Sequence, residues 1–152
     1  MNDNEKEILV SEQVLQVPYC YSAGPVAGRF LEALRDERII YGIKCPSCAR
    51  VYVPPRAVCG RCFTNNEEWV SLSGEGVVES FTDVYYHESV HPVQAPYTIA
   101  IIILDGADTG LVHMVRKKTG KELEIGTRVR AVFANERKGH ILDISYFEPI
   151  QD

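Results

Sequence analysis

Two Cys-x-x-Cys pairs stand close together in this chain: Cys45-Pro46-Ser47-Cys48 and, after ten intervening residues, Cys59-Gly60-Arg61-Cys62. Each pair turns two sulfurs inward from one tight knuckle. Two knuckles complete a tetrahedron, the geometry that Zn²⁺ accepts with thiolate ligands. The segment 43–70 is too short to build an apolar core by itself, and a bound ion substitutes for one. Four protein sulfurs leave no coordination position for water, so the expected ion is structural rather than catalytic.

Two alternatives compete with zinc. Four unconnected buried thiols would leave the paired spacing unexplained. An iron site of the rubredoxin kind usually carries glycine after the second Cys of each knuckle, whereas here Ala49 and Phe63 hold those positions. Five cysteines is an odd count, and Cys20 stands apart from the pairs. It reads as a small buried hydrophobe, as no base lies near it in sequence. His87, His91, His113 and His140 have no spacing that completes a triad or a metalloprotease motif.

The acidic, polar start of the chain (Asp3, Glu5, Glu7) is the reverse of a secretion signal, so a cytoplasmic protein is expected. No apolar run is long enough for a membrane span; the longest, Ile99 to Leu104, suits a buried strand. Hydrophobic residues make up 45% of the chain, enough for a real core, and the formal charge of -5 speaks against general nucleic-acid binding.

The expected fold is mainly β: an N-terminal helical segment (1–38), a zinc ribbon (39–72) and a five-stranded OB-type barrel (73–152). Ile8, Leu9 and Val10 can begin a short helix, and Val17-Pro18 favours extended backbone just after it. Ala27, Phe30, Leu31 and Leu34 recur at helical spacing after Pro25, with Arg29, Glu32, Arg35 and Asp36 opposite. That helix is expected to end near Arg38, and Ile39 to Ile43 reads as a strand. Beyond Gly74 and Gly76 the pattern turns to β. Strands are expected over Val77–Tyr86, Tyr97–Leu104, Leu111–Val115, Thr127–Ala134 and His140–Phe147. Five strands in this length suit a closed barrel better than a sandwich, which usually needs about seven.

Between Lys44 and Cys62 lie Lys44, Arg50, Arg56 and Arg61 and no acidic residue. Four thiolates on Zn²⁺ sum to about -2, so part of this charge balances the site; the rest can form an anion-binding face. Arg116-Lys117-Lys118 is a second basic cluster, either a solvated turn or a phosphate contact. The aromatics Phe81, Tyr85, Tyr86, Phe133, Tyr146 and Phe147 admit a second reading, a module that stacks single-stranded nucleic acid.

The order of parts resembles the DUF35 family. The residues that carry the resemblance are the two knuckles, Tyr52-Val53-Pro54-Pro55-Arg56 between them, Glu68-Trp69-Val70, and Gly74-Glu75-Gly76 leading into Val77-Val78-Glu79-Ser80-Phe81-Thr82. Pro96-Tyr97 and Leu123-Glu124-Ile125-Gly126-Thr127-Arg128-Val129 extend it. The resemblance covers about residues 26–150. Val17-Pro18-Tyr19-Cys20-Tyr21 is in addition similar to small subunits of thiolases that cleave benzoylsuccinyl-CoA. Membership implies a rubredoxin-like zinc ribbon plus an OB-fold, and a subunit that pairs with a thiolase-fold enzyme or with an enoyl-CoA hydratase. It implies a scaffold that helps bind an acyl-CoA thioester, with the catalytic Cys and His on the large subunit. Arg56, stiffened by the prolines before it, is then the first candidate for CoA. Arg50, Arg61 and Arg116–Lys118 follow.

Overall fold

The computed structural model of the chain describes residues 9–15, 17–117 and 122–150. Its helix, α1 (Gly24–Asp36), carries Pro25 in the first turn, where a missing N–H breaks no bond, and Arg35 in the last. Phe30, Ala33 and Leu34 are buried. Ala27, expected on this face, is exposed; the stripe runs instead through Val26, which packs on the ribbon. Arg38 ends the helix with a φ of 60°, and the N–H groups of Glu37 and Ile39 both donate to Ala33 O. A left-handed residue closes helices in this way, although glycine usually supplies it. The helix expected to begin at Ile8 is absent over Leu9 and Val10, which stand exposed with nothing to pack against; Ile8 itself lies outside the described residues.

The ribbon is a three-stranded antiparallel sheet with β1 (Ile40–Lys44) between β2 (Val51–Tyr52) and β3 (Glu68–Leu72). The sequence pattern shows β1 but neither of its partners. β2 is two residues long, too short for alternation to register. Arg29 of the helix lies over the Trp69 ring, 4.4 Å from its centroid, and ties α1 to β3.

The remaining strands are β4 (Glu75–Val84), β5 (Tyr97–Leu104), β6 (Gly110–Val115), β7 (Arg128–Phe133) and β8 (Ile144–Pro149). They close into a barrel in the order β4-β5-β6-β8-β7. A parallel pairing, Val115 with Phe147, joins β6 to β8. The first expected strand is displaced: it starts at Glu75 and stops before Tyr85 and Tyr86. β4 pairs with β5 along its length and with β7 at its start, so it seals the barrel, and it bulges between Val78 and Ser80. Gly76 sits at that seal. A Cβ there would collide with the Ile103 carbonyl and lie 2.8 Å from Leu104 Cα.

Alternation decides what faces inward. Thr98, Ala100, Ile102 and Leu104 of β5 are buried, as are Leu111, His113 and Val115 of β6. On β7, Arg128 faces out to Asp105 and Glu75, and Arg130 to Glu148. The core does not stop at the barrel. Phe30 and Leu34 of the helix and Ile40, Val53 and Leu72 of the ribbon join Val78, Ile102, Leu104 and Phe147 in one cluster. The β5–β6 turn also grips the ribbon edge. Val51 N–H donates to Asp108 Oδ2 (2.8 Å), Asp108 N–H to Val51 O (2.9 Å) and Val53 N–H to Thr109 Oγ1 (2.7 Å).

The last strand begins four residues later than expected from His140. His140 caps a 3-10 turn, Ile141–Asp143, and only Ile144 starts the strand. Asp143 is buried, and its carboxylate accepts the N–H groups of Lys138 (2.9 Å), Gly139 (2.7 Å) and His140 (3.2 Å). Burial pushes its pKa up, but those three donors outweigh it and hold the group below the usual carboxylate value. A depressed folded pKa gives stability that is present above the unfolded value and is lost as pH falls through the folded one. Asp143→Ala should therefore cost about 1–3 kcal/mol at neutral pH, with the gap to wild type narrowing in acid, as read from urea midpoints. Leu34→Ala should cost about 2–5 kcal/mol at either pH.

Candidate metal centre and surrounding charge

The two knuckles repeat one backbone pattern. Cys45 N–H donates to Arg50 O and Ala49 N–H to Cys45 O, each 2.9 Å; Cys59 N–H donates to Thr64 O and Phe63 N–H to Cys59 O, again each 2.9 Å. Ala49 (φ 60°) and Phe63 (φ 56°) both adopt the left-handed conformation. The knuckle turn is thus the ordinary glycine turn made with two non-glycine residues, each carrying about 1–2 kcal/mol of backbone strain. Phe63 is 81% exposed and gains no packing in return.

The four sulfurs lie within 4.8 Å of one another. Cys48 Sγ and Cys59 Sγ are 3.8 Å apart, matching the edge of about 3.8 Å that a tetrahedron with Zn–S of about 2.3 Å requires. Cys45 and Cys59 are buried, while Cys48 and Cys62 are half-buried. The Tyr52 hydroxyl donates to Cys59 Sγ (3.2 Å), as do the N–H groups of Arg61 (3.4 Å) and Cys62 (3.3 Å). The Thr64 hydroxyl lies 3.4 Å from Cys45 Sγ. These contacts lower the Cys59 pKa to about 6, the Tyr52 hydroxyl contributing most, and Thr64 lowers that of Cys45. Cys62 is driven the other way, to about 12, first by Cys48 and then by burial and Cys59. Four adjacent thiols cannot all ionise unaided, and a dication removes that conflict. The donor set therefore fits a structural zinc, held by Cys45, Cys48, Cys59 and Cys62.

Among the described residues, the two basic clusters singled out in the sequence lie apart in the fold. Arg50, Arg56 and Arg61 are exposed on the ribbon. The Arg56 guanidinium carbon lies 6.0 Å from the Tyr52 ring centroid, at the limit of a cation–π contact. Arg116 and Lys117 follow β6, at the end of the β5–β6 hairpin away from the turn that grips the ribbon. Arg116 stacks on Tyr146 at 3.8 Å, and Lys117 pairs with Asp83 at 2.7 Å. Lys118 lies outside the described residues.

Cys20, expected to be buried, is exposed, because the residues on either side of it, 17–23, form no helix or strand and are themselves exposed. Of the histidines, only His113 is buried, and burial lowers its pKa. Its Nδ1 accepts Met114 N–H, and its Nε2 lies 3.3 Å from Ile141 O. The hydrogen bonds of His87, His91 and His140 run to Gln94 or to backbone. Of the candidate stacking aromatics, Phe147 is buried, Phe81, Phe133 and Tyr146 are half-buried, and Tyr85 and Tyr86 are exposed. Two features escaped the sequence reading, the Asp143 clamp and a cleft beside Arg116. No local motif announces either.

Comparison with known proteins agrees with this architecture. Residues 32–67 match the family model described as "ChsH2, rubredoxin-like zinc ribbon domain", and residues 69–134 match "ChsH2, C-terminal OB-fold domain". A "DUF35 domain-containing scaffold protein" of Methanocaldococcus jannaschii is 31% identical over 124 residues, 78% of this chain and 87% of that protein. A solved DUF35-family protein of unknown function from Sulfolobus solfataricus is 26% identical, with a TM-score of 0.58 over 72% of this chain and 78% of its own. A structure described as "Ltp2-ChsH2(DUF35) aldolase" superposes with a TM-score of 0.61 over 80% of this chain and 91% of that one; at 23% identity it shows a shared fold.

Purified chain should carry one zinc, measured by elemental analysis, and Cys59→Ser should lose it together with the ribbon's protection from proteolysis. Phe63→Gly should retain the metal and raise stability by a net of about 0.5–1 kcal/mol, since the relieved strain exceeds the entropy cost of glycine.

Proposed function

Because the chain belongs to the DUF35 family of zinc-ribbon and OB-fold proteins, we propose that it is a non-catalytic subunit that scaffolds a thiolase-type acyl-CoA enzyme. One observation carries the reading. Four of the five cysteines form a cluster that could hold a metal, while large apolar side chains stand unburied on several parts of the surface. Among them are residues 9–15 and 17–21, the knuckle tip at Phe63, Tyr85, Tyr86 and Val90 after β4, and the outer barrel face, where the register partners Ile101 (37% exposed) and Val112 (59%) lie side by side. Surface of this kind suits a partner interface better than a reaction centre.

The partner is a larger thiolase-fold protein that brings its own catalytic groups. Support for a partner enzyme comes from one relative named a scaffold protein and from one solved structure of the same fold named as an Ltp2-ChsH2 aldolase. Zinc fixes the ribbon's shape so that the interface is presented without further ordering, which lowers the entropy cost of association. The exposed Arg50, Arg56 and Arg61 offer cations to the phosphates of the CoA thioester. Helix α1 spends its apolar face internally, on the shared core, so only its exposed side is available to a partner.

The same surfaces admit an enoyl-CoA hydratase as partner, and the identity of the bound subunit decides between the two. Affinity purification of the native complex should bring down a larger thiolase-fold protein, identified by mass spectrometry. The isolated chain should show no thiolysis. Turnover by the chain alone, or a single-stranded oligonucleotide as its main bound species, would overturn the proposal. Arg56→Glu should leave complex formation intact and raise the KM for the CoA thioester several-fold, a loss of about 1 kcal/mol.

A further inference from the structure

A cleft of about 490 Å³ opens at the end of the barrel away from the ribbon. Its walls are mostly apolar side chains: Tyr85, Val93 and Pro96 from the β4–β5 connection, and Tyr97, Met114 and Tyr146 from the strands. That volume lies within the range of small-ligand sites.

The charge inside the cleft is asymmetric. Asp83 is satisfied on both oxygens: the Thr98 hydroxyl donates to Oδ1 (2.6 Å), and Lys117 Nζ donates to Oδ2 (2.7 Å). Asp83 and Lys117 therefore cancel. Arg116 remains. Among the described residues no carboxylate lies within ion-pair distance of it. Its guanidinium is stacked on the Tyr146 ring, 3.8 Å from the centroid, and its backbone N–H is tied to Phe147 O at 2.8 Å. Stacking fixes the guanidinium plane and leaves the in-plane N–H donors free, the arrangement that takes a carboxylate in a two-pronged grip. Among the described residues, one free cation above an apolar, aromatic-walled space matches a ligand with one negative charge and a hydrocarbon body. A second phosphate would find Lys117 already paired with Asp83.

We propose that this cleft binds a small apolar monocarboxylate, its carboxylate held by Arg116 on the Tyr146 platform and its hydrocarbon part against Tyr85, Tyr97 and Met114. The site is separate from the ribbon and does not depend on the scaffold reading.

The test uses the full zinc-loaded chain, without a partner. Hexanoate, hexanamide and inorganic phosphate are titrated at constant ionic strength, by calorimetry and by NMR of methionine methyl groups. The Met114 methyl lies in the cleft wall and reports on it. Hexanoate should saturate and shift the Met114 signal. Hexanamide should bind roughly tenfold more weakly, as expected for loss of a charge-assisted hydrogen bond. Arg116→Gln should weaken hexanoate by a similar factor while keeping its zinc and melting temperature, and Tyr146→Leu, which removes the platform but leaves Arg116, should weaken it as well. Equal affinity for hexanamide, an unchanged Arg116→Gln variant, a Met114 signal that does not move, or phosphate displacing hexanoate at comparable concentration would each overturn the proposal.

Discussion

The cluster of four sulfurs is the interaction on which the rest depends. The ribbon's own apolar cluster is small, essentially Ile43, Cys45, Tyr52 and Cys59 with a few neighbours. Two of those four residues are themselves among the cysteines that could hold a metal. Without a cation, the thiols repel one another's ionisation and the two knuckles have little to hold them together. With one, β1 and β2 are pinned at one end, and β1 can pass directly from the metal site into the shared core through Ile40. The metal thus does for the ribbon what a larger core does for the barrel.

From that anchor the molecule is assembled as one body. The β5–β6 turn pairs with Val51 and Val53 through Asp108 and Thr109, so the edge strand β2 is covered instead of left open to association. The helix and the ribbon contribute Phe30, Leu34, Ile40, Val53 and Leu72 to the barrel's core. Three residues, Arg38, Ala49 and Phe63, adopt left-handed backbone without being glycine. In each case a hydrogen bond at a helix end or knuckle requires that conformation, and the surrounding contacts impose it. Phe63 differs from the other two in presenting a large exposed ring, as a surface that meets a partner would.

The barrel presents two chemically different ends. The ribbon end carries Arg50, Arg56 and Arg61 beside the metal site. The far end carries the apolar cleft, where among the described residues Arg116 is the cation left without an acidic partner. The two basic clusters of the sequence are therefore separate in space as well, and within the second Lys117 is neutralised by Asp83. This division is why the two groups are assigned different partners, a CoA thioester at one end and a monocarboxylate at the other.

The cysteine cluster that fits a zinc ion, the helix and the five barrel strands were legible in the sequence because each is written locally, in a Cys spacing, a 3.6-residue period or an alternation. Tyr97–Leu104 was located to the residue for that reason. Strands β2 and β3 were not legible, as their pairing with β1 depends on the metal drawing the knuckles together. The exposure of Cys20 and the start of β8 were misread for the same cause: burial and the Asp143 clamp depend on what lies across the fold. What the sequence alone determined was which atoms can hold a metal and which segments can be strands. What only the tertiary structure decided was which charges are cancelled, which apolar side chains stay uncovered and where a cleft opens, because those are set by contacts between residues far apart along the chain.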